Sequence, residues 1–183
     1  TPYPACNQTV GVRVVDSFSQ PARVHHQESL PGSAVLPKDG LEGARLSTDA
    51  GTVLCAGREI LDIYEKDYDV IEKADGSPVT VADHRAHELI SRRLEPLIPL
   101  TPVLSEESSG ITAAERMDWQ RFWLVDPLDG TKEFIKRNGE FTVNIALIQS
   151  NEPVLGGGAA PAAGRLYYSA RGQGAWRGAD GAA

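Results

Sequence analysis

The segment Asp126-Pro-Leu-Asp-Gly-Thr131 combines two carboxylates, a proline, a glycine and a hydroxyl, directly after the apolar run Phe122-Trp-Leu-Val125. An uninterrupted apolar run of this length predicts a strand buried on both faces. At the end of such a strand the backbone becomes available to a ligand. Pro127 fixes one φ and stiffens the turn, so that Asp126 and Asp129 can converge with the Leu128 carbonyl pointing the same way. Two carboxylates and a carbonyl make a hard oxygen donor set, which suits Mg²⁺ better than zinc or copper. Gly130 lets backbone approach a ligand. Thr131 opens a short helix, about Lys132 to Arg137, whose first N–H groups are ready for a phosphate oxygen. A helix-capping role would account for one of the two aspartates but not for both.

Two further acidic positions stand near turns. Glu106-Glu107 follows a short strand candidate, Pro102 to Ser105. Taken alone, such a pair is solvated surface. Asp83 closes the stretch Lys73-Ala-Asp-Gly-Ser-Pro-Val-Thr-Val-Ala-Asp83, a turn leading into a helix. There it could be a first-turn acid favoured by the helix dipole and nothing more.

Together, and in this order, Pro78-Val-Thr-x-x-Asp83, Glu106-Glu107 and Asp126-Pro-Leu-Asp-Gly-Thr131 resemble the magnesium-dependent, lithium-sensitive phosphatases of the inositol monophosphatase superfamily. The resemblance runs from about Ala50 to Gly181. Asp129 to Ile148, with Lys132-Glu133 in place of the residues usual in inositol monophosphatases, is similar to the 3'(2'),5'-bisphosphate nucleotidase branch, as is Lys73-x-Asp-Gly-Ser-Pro-Val-Thr80. The resemblance implies that Glu106, Asp126 and the Leu128 carbonyl hold one Mg²⁺, and that Asp126 and Asp129 share a second. Asp83 would hold a third through water. Thr131, with Asp83 or Glu106, would orient the attacking water, and the N–H groups of Gly130 and Thr131 would bind phosphate. The implied reaction is hydrolysis of 3'-phosphoadenosine 5'-phosphate to AMP and phosphate by metal-assisted phosphoryl transfer. An inositol or sugar monophosphate is the alternative substrate. Haloacid-dehalogenase-type phosphatases also carry Asp-Gly-Thr, but with a single residue between their aspartates. Two intervene here, which disfavours an aspartyl-phosphate at Asp126.

These residues need elements to hold them. One helix is expected from a cap at Ser47, Thr48 or Asp49 to about Lys66, with Val53, Ile60, Leu61 and Tyr64 on its apolar face. A second starts near Thr80, buries Ala82, Ala86, Ile90 and Leu94, and stops at Pro96 and Pro99. Phe141, Val143, Ile145 and Leu147 alternate with Thr142, Asn144 and Ala146, the period of a half-buried strand. Further strands are expected at Val154-Leu155 and Leu166 to Ser169, and Gly156-Gly-Gly158 is expected to be a turn or a loose strand. The expected fold is an α/β (α+β) layered sandwich with a mainly antiparallel sheet, the N-terminal half of the family's αβαβα arrangement.

The 183 residues carry a net charge of -7, with 41% apolar and 23% charged residues. That balance fits a globular protein and argues against duplex nucleic acid or an anionic membrane as partner. Acids clustered in one site could still bind a cation and, through it, the small phosphate ester that the resemblance implies. No apolar stretch is long enough to cross a bilayer. The default location is the cytoplasm, with peripheral attachment to the inner membrane face left open. Cys6 and Cys55, far apart, are expected to be free thiols. Residues 1–46 are Pro- and Gly-punctuated and irregular, apart from an edge-strand candidate at Val10 to Val15. His25-His26 lacks other ligands at metal spacing and reads as solvated. The phosphatase domain is expected over 47–183. The family continues into a second half that supplies a Trp-Asp motif completing the second metal site. Its absence here leaves two expectations, a fragment behind a foreign leader or a shortened, non-catalytic metal-binding chain.

Overall fold

The computed structural model describes residues 11–15, 41–73, 76 and 78–179, with side chains from Ala50 to Gly178. His25-His26, most of the N-terminal segment and part of the turn before Pro78 lie outside the described residues. The chain runs β1 (Gly11–Val15), α1 (Leu41–Tyr64), β2 (Val70–Glu72), β3 (Pro78–Thr80), α2 (Val81–Leu94), β4 (Val103–Ser105), α3 (Ala113–Met117), β5 (Arg121–Asp129), α4 (Thr131–Ile135), β6 (Thr142–Gln149), β7 (Glu152–Ala160), β8 (Arg165–Ala170) and β9 (Gly174–Ala179). Seven strands form one sheet in the order β1-β9-β8-β7-β6-β5-β4, and β2 and β3 form a separate hairpin. Every pairing in the large sheet is antiparallel except β4 with β5. The expected layered, mainly antiparallel architecture is therefore present.

Alternation along the strands decides which face is core. Trp123, Val125, Val143, Ile145, Leu147, Leu155, Leu166 and Tyr168 are buried on one face, against Val53, Ile60 and Ile63 of α1 and Ala82, Ala86, Ile90 and Leu94 of α2. The other face carries Leu124, 46% exposed, where a strand buried on both faces was expected. The apolar run therefore reads differently in place: Trp123 and Val125 point into the helices, and Leu124 points away from them. Helix α1 begins at Leu41, so the boundary drawn at residue 46 falls inside it, and the edge-strand candidate is β1, paired with β9. Cys55 is disulfide-bonded rather than free, because separation along the chain says little about separation in space. Its partner lies outside the described residues.

An aromatic knot joins the end of α1 to α4. Phe134 packs 5.1 Å from Tyr64, 4.9 Å from Tyr68 and 5.2 Å from Phe141, ring centre to ring centre. The Arg137 guanidinium lies over the Tyr64 and Tyr68 rings and donates to the carbonyls of Tyr64 and Lys66. It thereby satisfies carbonyls left open at the helix end.

The two faces of β5 should respond differently to truncation. Trp123→Ala, at a fully buried position, is expected to cost about 3–5 kcal/mol. Leu124→Ala is expected to cost less than about 1 kcal/mol. Urea denaturation of the two variants measures the difference, and equal costs would mean that both faces of the strand are packed.

Candidate active site

The site is assembled where β4 and β5 lie side by side. Their parallel register pairs Ser105 with Val125, so the next residues, Glu106 and Asp126, emerge together on neighbouring strands. The Glu106 N–H donates to the Val125 carbonyl at 3.3 Å, which continues the pairing one step further. Asp126 does not stand beyond the strand, as its motif suggested. Strand β5 runs on to Asp129, and its register against β6 shifts between Asp126 and Asp129. Pro127 cannot donate to the ladder, and the irregularity at this point re-aims both aspartates.

Gly130 closes the bulge in a conformation other residues avoid, at φ 95°. A Cβ there would stand 2.8 Å from the Glu140 carbonyl oxygen. Both φ and space therefore require glycine. Helix α4 starts at the next residue, and its Thr131 hydroxyl lies 3.1 Å from Asp83 Oδ1 and 3.2 Å from the Leu128 carbonyl. A hydroxyl has one proton for these two acceptors, so it shares or alternates.

Asp83 caps α2 and also meets Thr131 across the site. Thr80 and Asp83 form a reciprocal capping box at the start of α2, with the Thr80 N–H and hydroxyl both 2.7 Å from Asp83 Oδ2. Its other oxygen faces Thr131. Burial raises the Asp83 pKa, against the hydrogen bonds from Thr80 and Thr131.

Asp126 is the most strained charge of the group. Burial first, then the charges of Glu106 and Asp129, push its pKa up to about 6. Its Oδ1 is buried without a hydrogen-bond partner. A buried carboxylate oxygen with no donor and with like charges around it is a misfit unless a cation completes the set. The donor set, carboxylates with the Leu128 carbonyl nearby, fits a hard divalent ion. Among the described residues, no three acidic, His or Cys side chains yet close on one point.

Several contacts here had no assigned role in the sequence. Glu107, almost buried, pairs with Lys73 at 2.7 Å, and the same ammonium is 3.8 Å from Glu106. Burial works against the Lys73 charge, but the bond to Glu107 and the fields of Glu107, Glu106 and Asp83 outweigh it and raise its pKa. Glu107 is thus a structural counterion rather than a solvated neighbour. His87 Nδ1 lies 2.9 Å from Ser105 Oγ and ties α2 to the end of β4. The Lys73-x-Asp-Gly wording held a signal for the first of these contacts; nothing marked the second. Glu106 and Asp126 also line a groove of about 710 Å³, together with Leu104, Leu124, Gly156 to Gly158 and Arg116 of α3.

The family model described as the inositol monophosphatase family matches residues 44–180. The chain belongs to the inositol monophosphatase family. It is 55% identical over 124 residues to the 3'(2'),5'-bisphosphate nucleotidase CysQ of Escherichia coli K12, a match over 67% of this chain and 50% of that protein. Among solved structures, CysQ from Bacteroides thetaiotaomicron superposes with a TM-score of 0.65 at 48% identity, covering 74% of this chain and 49% of the other. The suhB protein of Bartonella henselae gives the same TM-score at 31% identity, covering 73% of this chain and 52% of that one. The chain spans about half the length of these relatives.

The elevated Asp126 pKa carries a sign that melting can read. A carboxylate whose folded pKa is raised binds its proton more tightly when folded, so stability is lost as pH rises from about 4 through about 6. In metal-free buffer, Asp126→Asn is therefore expected to melt no higher than the parent near pH 4 and above it at pH 7. A variant that melts lower at pH 7 would make Asp126 a structural cap instead.

Proposed function

We propose that this chain carries the site of a Mg²⁺-dependent phosphomonoesterase that converts 3'-phosphoadenosine 5'-phosphate to AMP and phosphate. The observation that carries the reading is the pairing of β4 with β5, which sets Glu106 beside Asp126 and its unpartnered, buried oxygen. The names of the CysQ relatives support the nucleotide as substrate. Glu106, Asp126, Asp129 and the Leu128 carbonyl would hold two ions, with Asp83 reaching a third through water. Bound there, Mg²⁺ supplies charge neutralisation for the transferring phosphoryl group and acidifies water.

The remaining work falls to the chain itself. Thr131 shares its proton with Asp83 and the Leu128 carbonyl, which leaves its oxygen lone pairs free to accept from an attacking water and aim it. Asp83 is held for this by Thr80 on one oxygen and faces Thr131 with the other. The N–H groups of Gly130 and Thr131 would bind phosphate oxygens. The partner is a small phosphate ester, and no helix among the described residues is long and apolar enough to cross a membrane. A cytoplasmic setting belongs to the same proposal, with the disulfide at Cys55 as the observation against it.

The test is phosphate release by a chimera joining this chain to the C-terminal half of the Escherichia coli relative. Faster release from 3'-phosphoadenosine 5'-phosphate than from inositol 1-phosphate is expected, with Mg²⁺ required and Li⁺ inhibitory. Asp126→Asn should lower the rate on the order of 100-fold or more. A preference for inositol 1-phosphate would transfer the assignment to inositol or sugar phosphates. A chimera that folds, binds Mg²⁺ and hydrolyses neither would leave a metal-binding chain without catalysis.

A further inference from the structure

Thr142 and Asn144 read in the sequence only as the polar half of an alternating strand, and no step of the proposed reaction uses them. Their place in the sheet is specific. Asn144 on β6 lies opposite Asp126 of β5 on one side and opposite Gly158 of β7 on the other. Thr142 lies opposite Asp129, on the far side of the register shift. The Asn144 amide Nδ2 donates to Thr142 Oγ1 at 2.9 Å and to Asp129 Oδ2 at 3.3 Å. The Thr142 hydroxyl donates to the same Asp129 Oδ2 at 3.4 Å. Both donors fall on one oxygen of Asp129, and neither uses the other.

We propose that Asn144, braced by Thr142 and given room by Gly158, is a positioning residue that aims Asp129 at the cation; the inference rests on the metal site of the proposed function. A carboxylate at the end of an irregular strand is free to rotate, and several rotamers would carry it away from Asp126. Two neutral donors on a single oxygen select one rotamer and leave the second oxygen for an ion. Neutrality matters in this place. A lysine or arginine at position 144 would bring a competing positive charge, and an aspartate would add one more like charge directly across from Asp126. An amide supplies the hydrogen bond without changing the charge count.

Gly158 is the other half of the device. A Cβ built on it would stand 3.1 Å from Asn144 Oδ1, so any side chain there would crowd the amide. Its backbone is ordinary extended strand, so the demand for glycine comes from the neighbour and not from φ. This explains why the middle of a paired strand tolerates a residue that weakens strands.

The experiment titrates the 183-residue chain with Mg²⁺, and separately with Mn²⁺, by calorimetry. Asn144→Ala is expected to weaken binding about tenfold, as loss of a hydrogen bond to a metal ligand does. Gly158→Ala should reproduce the loss while every polar group remains in place, and Asn144→Ala should have no further effect in an Asp129→Asn background. The same four variants are denatured without metal. If the amide holds Asp129, the midpoint shifts of Asn144→Ala and Asp129→Asn will not add in the double variant. An unchanged affinity on Asp129→Asn would overturn the metal site itself. A loss on Asp129→Asn with none on Asn144→Ala or Gly158→Ala, or strictly additive midpoints, would overturn the positioning role and leave the metal site standing.

Discussion

The structure is organised around charge that it cannot neutralise by itself at one point. Parallel pairing of β4 and β5 delivers Glu106 and Asp126 to adjacent positions, and the irregularity after Asp126 brings Asp129 toward them. The nearby cation, Lys73, is drawn to Glu107 at 2.7 Å and stands off from Glu106 at 3.8 Å. Asp126 receives no donor on its buried oxygen, and its pKa of about 6 records the strain. Folding a chain around such a cluster costs stability. The large buried face formed by the sheet and helices α1 and α2 offsets that cost.

The supporting parts follow from the same constraint. Helix α2 presents Asp83 to the site through its first turn, and His87 one turn later ties it to the end of β4. The aromatic knot and the Arg137 clamp hold α4 to α1, so that Thr131 at the start of α4 meets Asp83 of α2. Gly130 permits the tight passage between them. Each contact is modest, but together they leave the hydroxyl and the acids little freedom to move apart.

Much of this was legible in the chain. Ala82, Ala86, Ile90 and Leu94 marked the buried face of α2, and proline marked its end. The alternation from Phe141 to Leu147 gave β6 its correct faces. Other features were hidden for physical reasons. The run Phe122 to Val125 could not reveal that Leu124 faces away from the helices, because a strand with one apolar open face has the same composition as one buried on both. The register shift at Pro127 needs the partner strand to be seen. Helix α3 was missed although Thr112-Ala-Ala-Glu115 spells the capping box it uses, a short local signal without an apolar face behind it. Asn144 read only as the polar half of an alternating strand because its target, Asp129, is fifteen residues away. The acids of the site were readable as types and order; their mutual coupling was not.

Paramagnetic broadening is the most direct test of convergence on one ion. Mn²⁺ would be titrated into the 19.7 kDa chain while backbone amide resonances are followed. The account predicts that broadening at substoichiometric Mn²⁺ centres on residues 105–107 and 126–131, reaches Asp83, and disappears from these residues in Asp126→Asn. Broadening spread over the acidic surface, or centred away from the ends of β4 and β5, would contradict it.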